Sequence, residues 1–214
     1  PLTGVDHITI SSHSPIVLAT HPSMNVRTLA EFRAAVAAGG GQVLYGSSGN
    51  GSTGHISSAL LLHLLGVPAT HVPYRGSAAA FQDLMAGRIS FQSDTISFLA
   101  EHIKNGTVNG IVIGTPERSP MAPDVPTAAE AGLPAFQATT WTPWSATLGT
   151  PLPIRQFLYE QIAIALRKPE VRDRLIQLGN TIPDGMTPEA TRAFIAAELD
   201  KWVPIVRATG ARVD

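Results

Sequence analysis

The residues from Tyr45 to His55 are rich in glycine and in short hydroxyl side chains. Gly46 to Thr53 fit a Walker A pattern with Ser52 in place of the lysine, and Gly49, Gly51 and Gly54 have the spacing of a dinucleotide fingerprint. Glycines allow positive φ angles that turn successive backbone N–H groups toward one point. A helix that begins near Ser52 would add free amides and the positive end of its dipole. The pattern therefore predicts a site for a small carboxylate or similar anion.

Three segments, 46–52, 74–77 and 93–95, each leave a predicted strand and enter a predicted helix. Such junctions in an alternating α/β chain lie at one edge of the sheet, where ligands bind. Three of the side chains there have two possible roles each. His55 either donates to the ligand or satisfies a backbone group, and Arg75 either pairs with a ligand carboxylate or braces the domain. Asp94 either accepts a hydrogen bond from the ligand or caps a helix. The predicted ligand contacts are Ser47, Ser48, Gly49, Asn50, Gly51, Ser52, Thr53, His55, Tyr74, Arg75, Gly76, Asp94 and Thr95.

The same residues supply no recognisable catalytic or metal-binding set. His55 and His63 lack the spacing of a zinc motif, and Asn50 stands where a nucleophile elbow needs its second glycine. We therefore predict no catalytic residue, no metal and no cofactor. One enzymatic alternative stays open, an NADP-dependent oxidoreductase with the glycine loop under the pyrophosphate and Arg75 near the 2′-phosphate.

Composition narrows the partners and the chemistry. The 214 residues carry a net charge of -1, and only 14% of them are charged. Nucleic-acid binding is driven by counterion release, which needs an excess of basic residues that this chain lacks. No apolar run is long enough to cross a bilayer. The absence of cysteine excludes disulfides and thiolate chemistry. We expect no nucleic-acid partner.

Strand and helix patterns alternate along the first half of the chain, which predicts a mostly parallel sheet with right-handed crossovers. Two strand-like stretches, 7–11 and 15–20, are expected to be separated by a polar turn at 12–14, and they need partner strands. Thr28 and Glu31 form a predicted capping box. The remaining predictions are strands at 42–45, 70–73, 88–93 and 107–113 and helices at 28–36, 52–65, 77–85 and 96–104.

Prolines and helical patterns dominate the second half. Prolines after Gly114 predict a surface crossing and a domain boundary, followed by a short helix at 127–131. Residues 136–147 form a predicted hinge strand, bent by Pro143, with Trp141 and Trp144 expected in a core. Helices are predicted at 153–167, 169–178 and 188–209, and Pro204 should kink or end the last of them.

Several stretches, in order along the whole chain, resemble the receptors of tripartite tricarboxylate transporters, the Bug family of extracytoplasmic solute-binding proteins. They are residues 45–55, 71–77, 118–132 and 148–151. The resemblance implies a periplasmic-binding-protein fold of the Venus-flytrap kind and no catalysis. It implies capture of a small organic carboxylate, such as a di- or tricarboxylate, an amino acid or an aromatic acid, and its delivery to membrane permease subunits.

Family members are longer than this chain, so the resemblance implies one complete lobe and part of another. We expect residues 1–22 to be a remnant of the first lobe with crossover strands, 23–136 to be the second lobe, and 137–214 to return to the first. A periplasmic location is implied, with the signal peptide absent from this chain. Apolar surface of the incomplete lobe needs a cover, for which a second copy of the chain is a candidate. A receptor truncated in this way would bind ligand weakly or not at all.

Overall fold

The computed structural model describes residues 4–209, which divide into two compact units. Residues 15–139 and 205–209 form the first, here called the sheet unit. Residues 4–14 and 140–204 form the second, here called the ribbon unit. The second lobe was expected to begin at residue 23 and end at 136. The sheet unit begins earlier because residues 15–20 are strand partners within its sheet.

The strands of the sheet unit lie in the order β3-β2-β4-β1-β5. Strand β2 pairs in parallel with both β3 and β4, whereas β1 runs antiparallel between β4 and β5. Four strands therefore share one direction, as predicted, and β1 is the exception. The bounds are β1 Val5–Thr20, β2 Leu44–Ser47, β3 Thr70–Pro73, β4 Phe91–Thr95 and β5 Asn109–Ile113.

Strand β1 is continuous through Ser12, His13 and Ser14, so the predicted turn there is wrong. Backbone hydrogen bonds between His13 and Thr181 maintain extended pairing across this polar stretch. The hydroxyl of Ser12 also reaches Thr142 Oγ1 at 3.4 Å. Tertiary partners thus override a local turn signal.

Four helices connect the strands, and their sequences explain their ends. They are α1 Leu29–Ala38, α2 Thr53–Leu65, α3 Ser77–Met85 and α4 Ile96–Lys104. Thr28 and Glu31 form the predicted capping box at the start of α1. Gly66, in the left-handed conformation at φ 66°, ends α2. Helix α4 begins directly after β4, whereas loops of five and three residues separate α2 from β2 and α3 from β3.

The core of the sheet unit occupies both faces of the sheet. On one face Phe91 packs edge-on against Phe32, with ring centroids 5.0 Å apart, and stacks on Tyr45 at 5.1 Å. On the other face Leu84 and Leu99 are fully buried within an aliphatic cluster. Two filled faces fix the strand register, because a one-residue slip would move every side chain of the strand to the opposite face, where it would meet the packing of other residues.

The predicted helix at 127–131 is absent, and these residues form turns that follow a single bridge at Thr127. The side chains of Thr127 and Glu130 accept from each other's backbone N–H, as in a capping box. Gly132, at φ 80°, follows immediately. The signal of a helix start is real, but the glycine ends the turn before a helix forms.

The ribbon unit contains the first part of β1, all but the first residue of strand β6 Thr139–Thr147, two helices, and a third helix as far as Pro204. The helices are α5 Leu152–Arg167, α6 Pro169–Gln177 and α7 Pro188–Thr209, and α7 continues through Pro204. Neither α5 nor α6 contains a buried residue. Trp144, expected in a core, is 50% exposed, because β6 has most of its side chains facing solvent.

Candidate ligand-binding site

The glycine loop lies where β2 ends at Ser47 and α2 begins at Thr53. Because β2, β3 and β4 are parallel neighbours, their carboxyl ends meet at one edge of the sheet. The loops after all three strands lead into helices there. This arrangement brings three helix N-termini, those of α2, α3 and α4, to the same edge.

Glycines give the loop its shape. Gly49 and Gly51 have φ values of 136° and 71°, which side-chain-bearing residues rarely adopt. Gly54 meets a different constraint, because a Cβ there would lie 2.5 Å from the carbonyl oxygen of Ser93. The first two glycines allow the chain to turn, and the third allows α2 to approach β4.

The loop presents backbone N–H groups that have no acceptor within the described residues. They belong to Ser48, Asn50, Thr53 and Gly54. Ser52 caps α2 by accepting from the N–H of His55 at 3.4 Å, and the N–H of Ser52 donates to Gly49 O at 3.2 Å. Four N–H groups in and beside the first turn of α2 are thus without an acceptor among residues 4–209.

Ser47 and His55, both predicted ligand contacts, are directed into the protein. Ser47 is fully buried, and its Oγ donates to Gly49 O at 3.0 Å and accepts from Gly49 N at 3.2 Å. His55 is 4% exposed, and its Nδ1 accepts from the N–H of Gly51 at 3.1 Å. Their side chains hold the loop instead of facing a ligand, which is one of the two readings left open for His55.

The sequence did not identify His71, whose Nε2 lies 2.7 Å from Ser47 Oγ. Its ring stacks on that of His55, with centroids 3.7 Å apart and planes at 7°. His71 faces Tyr45 in the register of β2 and β3. That register is the signal that could have found it, since Tyr45 and His71 occupy equivalent positions on one sheet face.

Both imidazoles are held neutral. Burial lowers the pKa of His55, and burial together with the charge of His55 lowers the pKa of His71 to about 4. Burial also raises the pKa of the neighbouring Tyr45 to about 12. The interior beneath the loop therefore carries no charge near neutral pH, and the positive potential at the loop comes from backbone dipoles.

The second predicted segment contacts the loop. The N–H of Gly76 donates to Ser48 O at 3.4 Å, and Gly49 lies against the carbonyl oxygen of Tyr74. The hydroxyl of Tyr74 donates to Asp83 Oδ2 at 2.7 Å, so the Tyr74 ring is left as the group able to contact a ligand. Arg75 is exposed and has no ion-pair partner among residues 4–209, which keeps its guanidinium available to a carboxylate.

The third segment approaches the loop through Ser93. Its carbonyl oxygen meets Gly54, and its Oγ accepts from Ser58 Oγ at 2.9 Å. Asp94 and Thr95 belong to β4 itself instead of following it. Asp94 accepts from the N–H of Thr95 at 2.8 Å and from Gln92 Nε2 at 2.9 Å, and both residues are half-buried. Asp94 thus braces the strand end.

The described residues contain no group of three or more histidine, aspartate or glutamate side chains placed to hold a metal ion. Within the same part of the chain, no helix has the length and apolarity to cross a membrane. The arrangement that the structure does offer is a set of backbone donors, small hydroxyls and one exposed guanidinium.

A mixed α/β sheet with three helix N-termini at one edge is typical of α/β ligand-binding folds, and the solved structure of the periplasmic binding protein BugD shares the fold of this chain with a TM-score of 0.81. Residues 1–211 match the tripartite tricarboxylate transporter family receptors, and the chain belongs to this family. The fold and family expected from the sequence are confirmed. None of the relatives described here is an oxidoreductase.

Three relatives illustrate the likeness. Protein BugT of Bordetella pertussis is 34% identical over 199 residues, which cover 93% of this chain and 61% of BugT. The structure of MatC from Rhodopseudomonas palustris with bound malate is 33% identical, with a TM-score of 0.81 over 94% of this chain and 69% of that one. Rpa4515 from R. palustris with adipate is 29% identical, with a TM-score of 0.84 over 99% and 70%. The chain thus spans about three fifths of the length of BugT.

Proposed function

We propose that this chain carries the carboxylate-binding loop of a periplasmic solute receptor for a tripartite tricarboxylate-type transporter. It captures a small organic acid and performs no reaction on it. The observation that carries the proposal is the group of four unpaired backbone N–H donors in residues 48–54, at the N-terminus of α2. Amides fixed in this way complement a carboxylate without the need for a charged side chain.

The ligand class follows from the groups around the loop. The unpaired amides satisfy one carboxylate, and the free guanidinium of Arg75 is suited to pair with a second negative group. A dicarboxylate uses both sets of donors, which agrees with the malate and adipate in the two related structures. Tricarboxylates, amino acids and aromatic acids share the carboxylate headgroup and compete for the same amides.

Handing the ligand to membrane permease subunits completes the proposed role, and family membership supports it. A second copy of the chain is a further proposed partner, because the ribbon unit exposes large apolar side chains that include Leu148, Leu152 and Phe157.

Thermal unfolding in the presence of malate or adipate tests the proposal. A ligand that binds only the folded state raises the melting temperature with concentration, and the effect stays measurable for a millimolar dissociation constant if the ligand reaches about 100 mM. Sodium chloride at equal ionic strength and the neutral diamide of malate serve as controls. We expect stabilisation by the two acids alone, and equal stabilisation by the diamide would contradict the proposal.

A matched pair of glycine variants locates the effect. Gly49→Ala forces a side chain into a φ of 136° in the loop, whereas Gly132→Ala does so at a φ of 80° in a remote turn with open space around it. Both variants carry comparable backbone strain. Only Gly49→Ala should weaken malate binding, by more than tenfold, since misdirected amides lose charge-assisted hydrogen bonds.

Titration with NADPH tests the oxidoreductase alternative directly. We expect no saturable change in protein fluorescence. Saturable NADPH binding that malate does not displace would replace the receptor proposal.

A further inference from the structure

Two histidine side chains lie directly behind the glycine loop. His55 projects from the first turn of α2, and His71 from the middle of β3. Their rings are parallel at a centroid distance of 3.7 Å. His55 contacts Gly51 of the loop through Nδ1, and His71 contacts Ser47, at the end of β2, through Nε2.

We propose that His55 and His71 are positioning residues, which set the direction of the loop amides through Gly51 and Ser47, and that protonation of His55 releases the loop. The inference rests on the proposed function only for its consequence, ligand binding. The contacts themselves stand independently of any ligand.

The hydrogen bonds dictate one protonation pattern. Gly51 donates its N–H to His55 Nδ1, so that nitrogen must be unprotonated and the ring proton must sit on Nε2. Ser47 has one hydroxyl hydrogen, which it donates to Gly49 O. Ser47 Oγ therefore accepts from His71 Nε2–H, which leaves His71 Nδ1 bare. The contact of His55 requires the neutral ring with its proton on Nε2, whereas the contact of His71 requires only that Nε2 carries a proton.

Protonation of His55 would destroy its contact with the loop. A proton on Nδ1 removes the acceptor of the Gly51 N–H and places two donors face to face. The stacked rings would also repel each other if both were charged, and the charge of His55 is, after burial, the second cause of the lowered pKa of His71. The loop would then change conformation, and the direction of the neighbouring free amides would change with it.

A cleft of about 370 Å³ gives solvent a path to the pair. Its lining includes both rings, Tyr45 from β2 and His63 from the far end of α2. Tyr45 and His63 are the titratable groups that face the pair, and no carboxylate among residues 4–209 lines the cleft. The remaining lining is apolar, with Leu62, Val67 and Ile205 among its members. Nothing there compensates a charged imidazole.

NMR on the ligand-free 214-residue chain tests the inference without reference to function. The ¹⁵N shifts of the imidazoles at pH 7.5 should show the Nε2–H tautomer for both His55 and His71. As the pH falls below the ordinary histidine value of 6.5, the amide resonances of residues 48–54 should shift together with the imidazole resonances. An Nδ1–H tautomer for His55, or loop amides that do not follow the histidine titration, would overturn the inference.

Conservative substitutions show whether the hydrogen bonds of the two histidines or merely their volumes matter for ligand binding. His55→Asn keeps an acceptor near the place of Nδ1, and His71→Gln keeps a donor near the place of Nε2, whereas His55→Leu and His71→Leu keep volume alone. We expect malate affinity at pH 7.5 to fall about tenfold in the leucine variants and to recover to within about threefold in the amide variants. His63→Leu, in the same cleft without a loop contact, is the control and should change neither affinity nor loop shifts.

The two sets of measurements fail differently. The chain could show the expected tautomers and loop shifts that follow the histidine titration, and yet fail to bind malate. That result would support the inference about the loop and overturn the receptor proposal. Malate binding that is equal in the leucine and amide variants would overturn the inference and retain the receptor. If a leucine variant does not fold, the inference about the loop is still tested by the tautomer measurement. It is also tested by the expected loss of the pH transition in His55→Asn.

Discussion

The sheet unit buries most of its large apolar side chains, whereas the ribbon unit exposes many of its own. In the sheet unit both faces of the sheet are covered. Among its residues that the structure describes, Met85 is the one large apolar side chain that is exposed. In the ribbon unit the buried apolar residues within the described range are Ile8, Ile10 and Ile195, while nine large apolar side chains are exposed. One unit has a complete core, and the other exposes an apolar surface that soluble proteins rarely leave open.

The proposed ligand contacts lie in the unit with the complete core. The glycine loop with its unpaired amides, the histidine pair and Arg75 all belong to the sheet unit. The ribbon unit contributes helices that need further cover. This agrees with relatives that are longer than the chain, such as BugT, of which 61% is matched.

Paired aromatic substitutions provide the largest expected contrast. Phe91→Ala removes a fully buried ring from the centre of the sheet unit and should cost about 3–5 kcal/mol of its stability, because a cavity remains. Phe157→Ala, at a side chain 58% exposed on α5, should cost less than about 0.5 kcal/mol. Chemical denaturation measures both. A large loss for Phe157→Ala would show that this apolar face is covered in solution.

Acid should destabilise the sheet unit through His71. The folded-state pKa, about 4, lies below the ordinary 6.5, so the unfolded chain binds the proton first. Stability is therefore full above pH 6.5 and is lost as the pH falls to about 4, by at most about 3 kcal/mol at 1.36 kcal/mol per pH unit. Carboxylates titrate in the same window, so the measurement is the difference between wild type and His71→Gln. Parallel stability curves for the two proteins would contradict the assignment.

Gly54→Ala tests the close approach of α2 to β4. The new Cβ would lie 2.5 Å from a backbone carbonyl oxygen, which cannot move without the strand, and we expect a cost of about 2–3 kcal/mol. Gly66→Ala, at the other end of α2, meets no atom within 4 Å and should cost about 1–2 kcal/mol for its φ of 66°. Equal losses of stability in the two variants would mean that the approach at Gly54 is looser than described.

Thr28→Ala is expected to give the smallest loss of stability, and it tests the difference in helix capping between the two units. Thr28 caps α1 in the sheet unit, whereas α5 and α6 of the ribbon unit begin without a side-chain cap. Loss of the cap should cost about 1 kcal/mol in the sheet unit, and Thr28→Ser should restore most of it. A Thr28→Ser variant as unstable as Thr28→Ala would show that the methyl group, not the hydroxyl, matters there.

The sequence predicted the local elements well, because helix caps, glycine stops and β-loop-α-β alternation are local signals. It did not predict that β1 is one strand placed antiparallel between β4 and β5. Its central residues Ser12, His13 and Ser14 resemble a turn, and their strand partners come from more than a hundred residues away. Long-range pairing of this kind leaves no local trace.

The site was predictable in its backbone and less so in its side chains. The glycine pattern correctly placed a loop of free amides before α2. The inward direction of Ser47 and the stack of His55 on His71 depend on the pairing register of β2 with β3, which a single sequence does not supply. Tyr74 was a predicted ligand contact, and its hydroxyl binds Asp83 because α3 folds back over the strand.

The central claim is that backbone amides of the glycine loop bind a carboxylate, and NMR titration of the ¹⁵N-labelled chain with malate at constant ionic strength tests it most directly. The account predicts that the largest shifts fall on the N–H groups of Ser48, Asn50, Thr53 and Gly54, with the neutral diamide causing none of them. Shifts that instead centre on another part of the chain, or that the diamide reproduces, would contradict it.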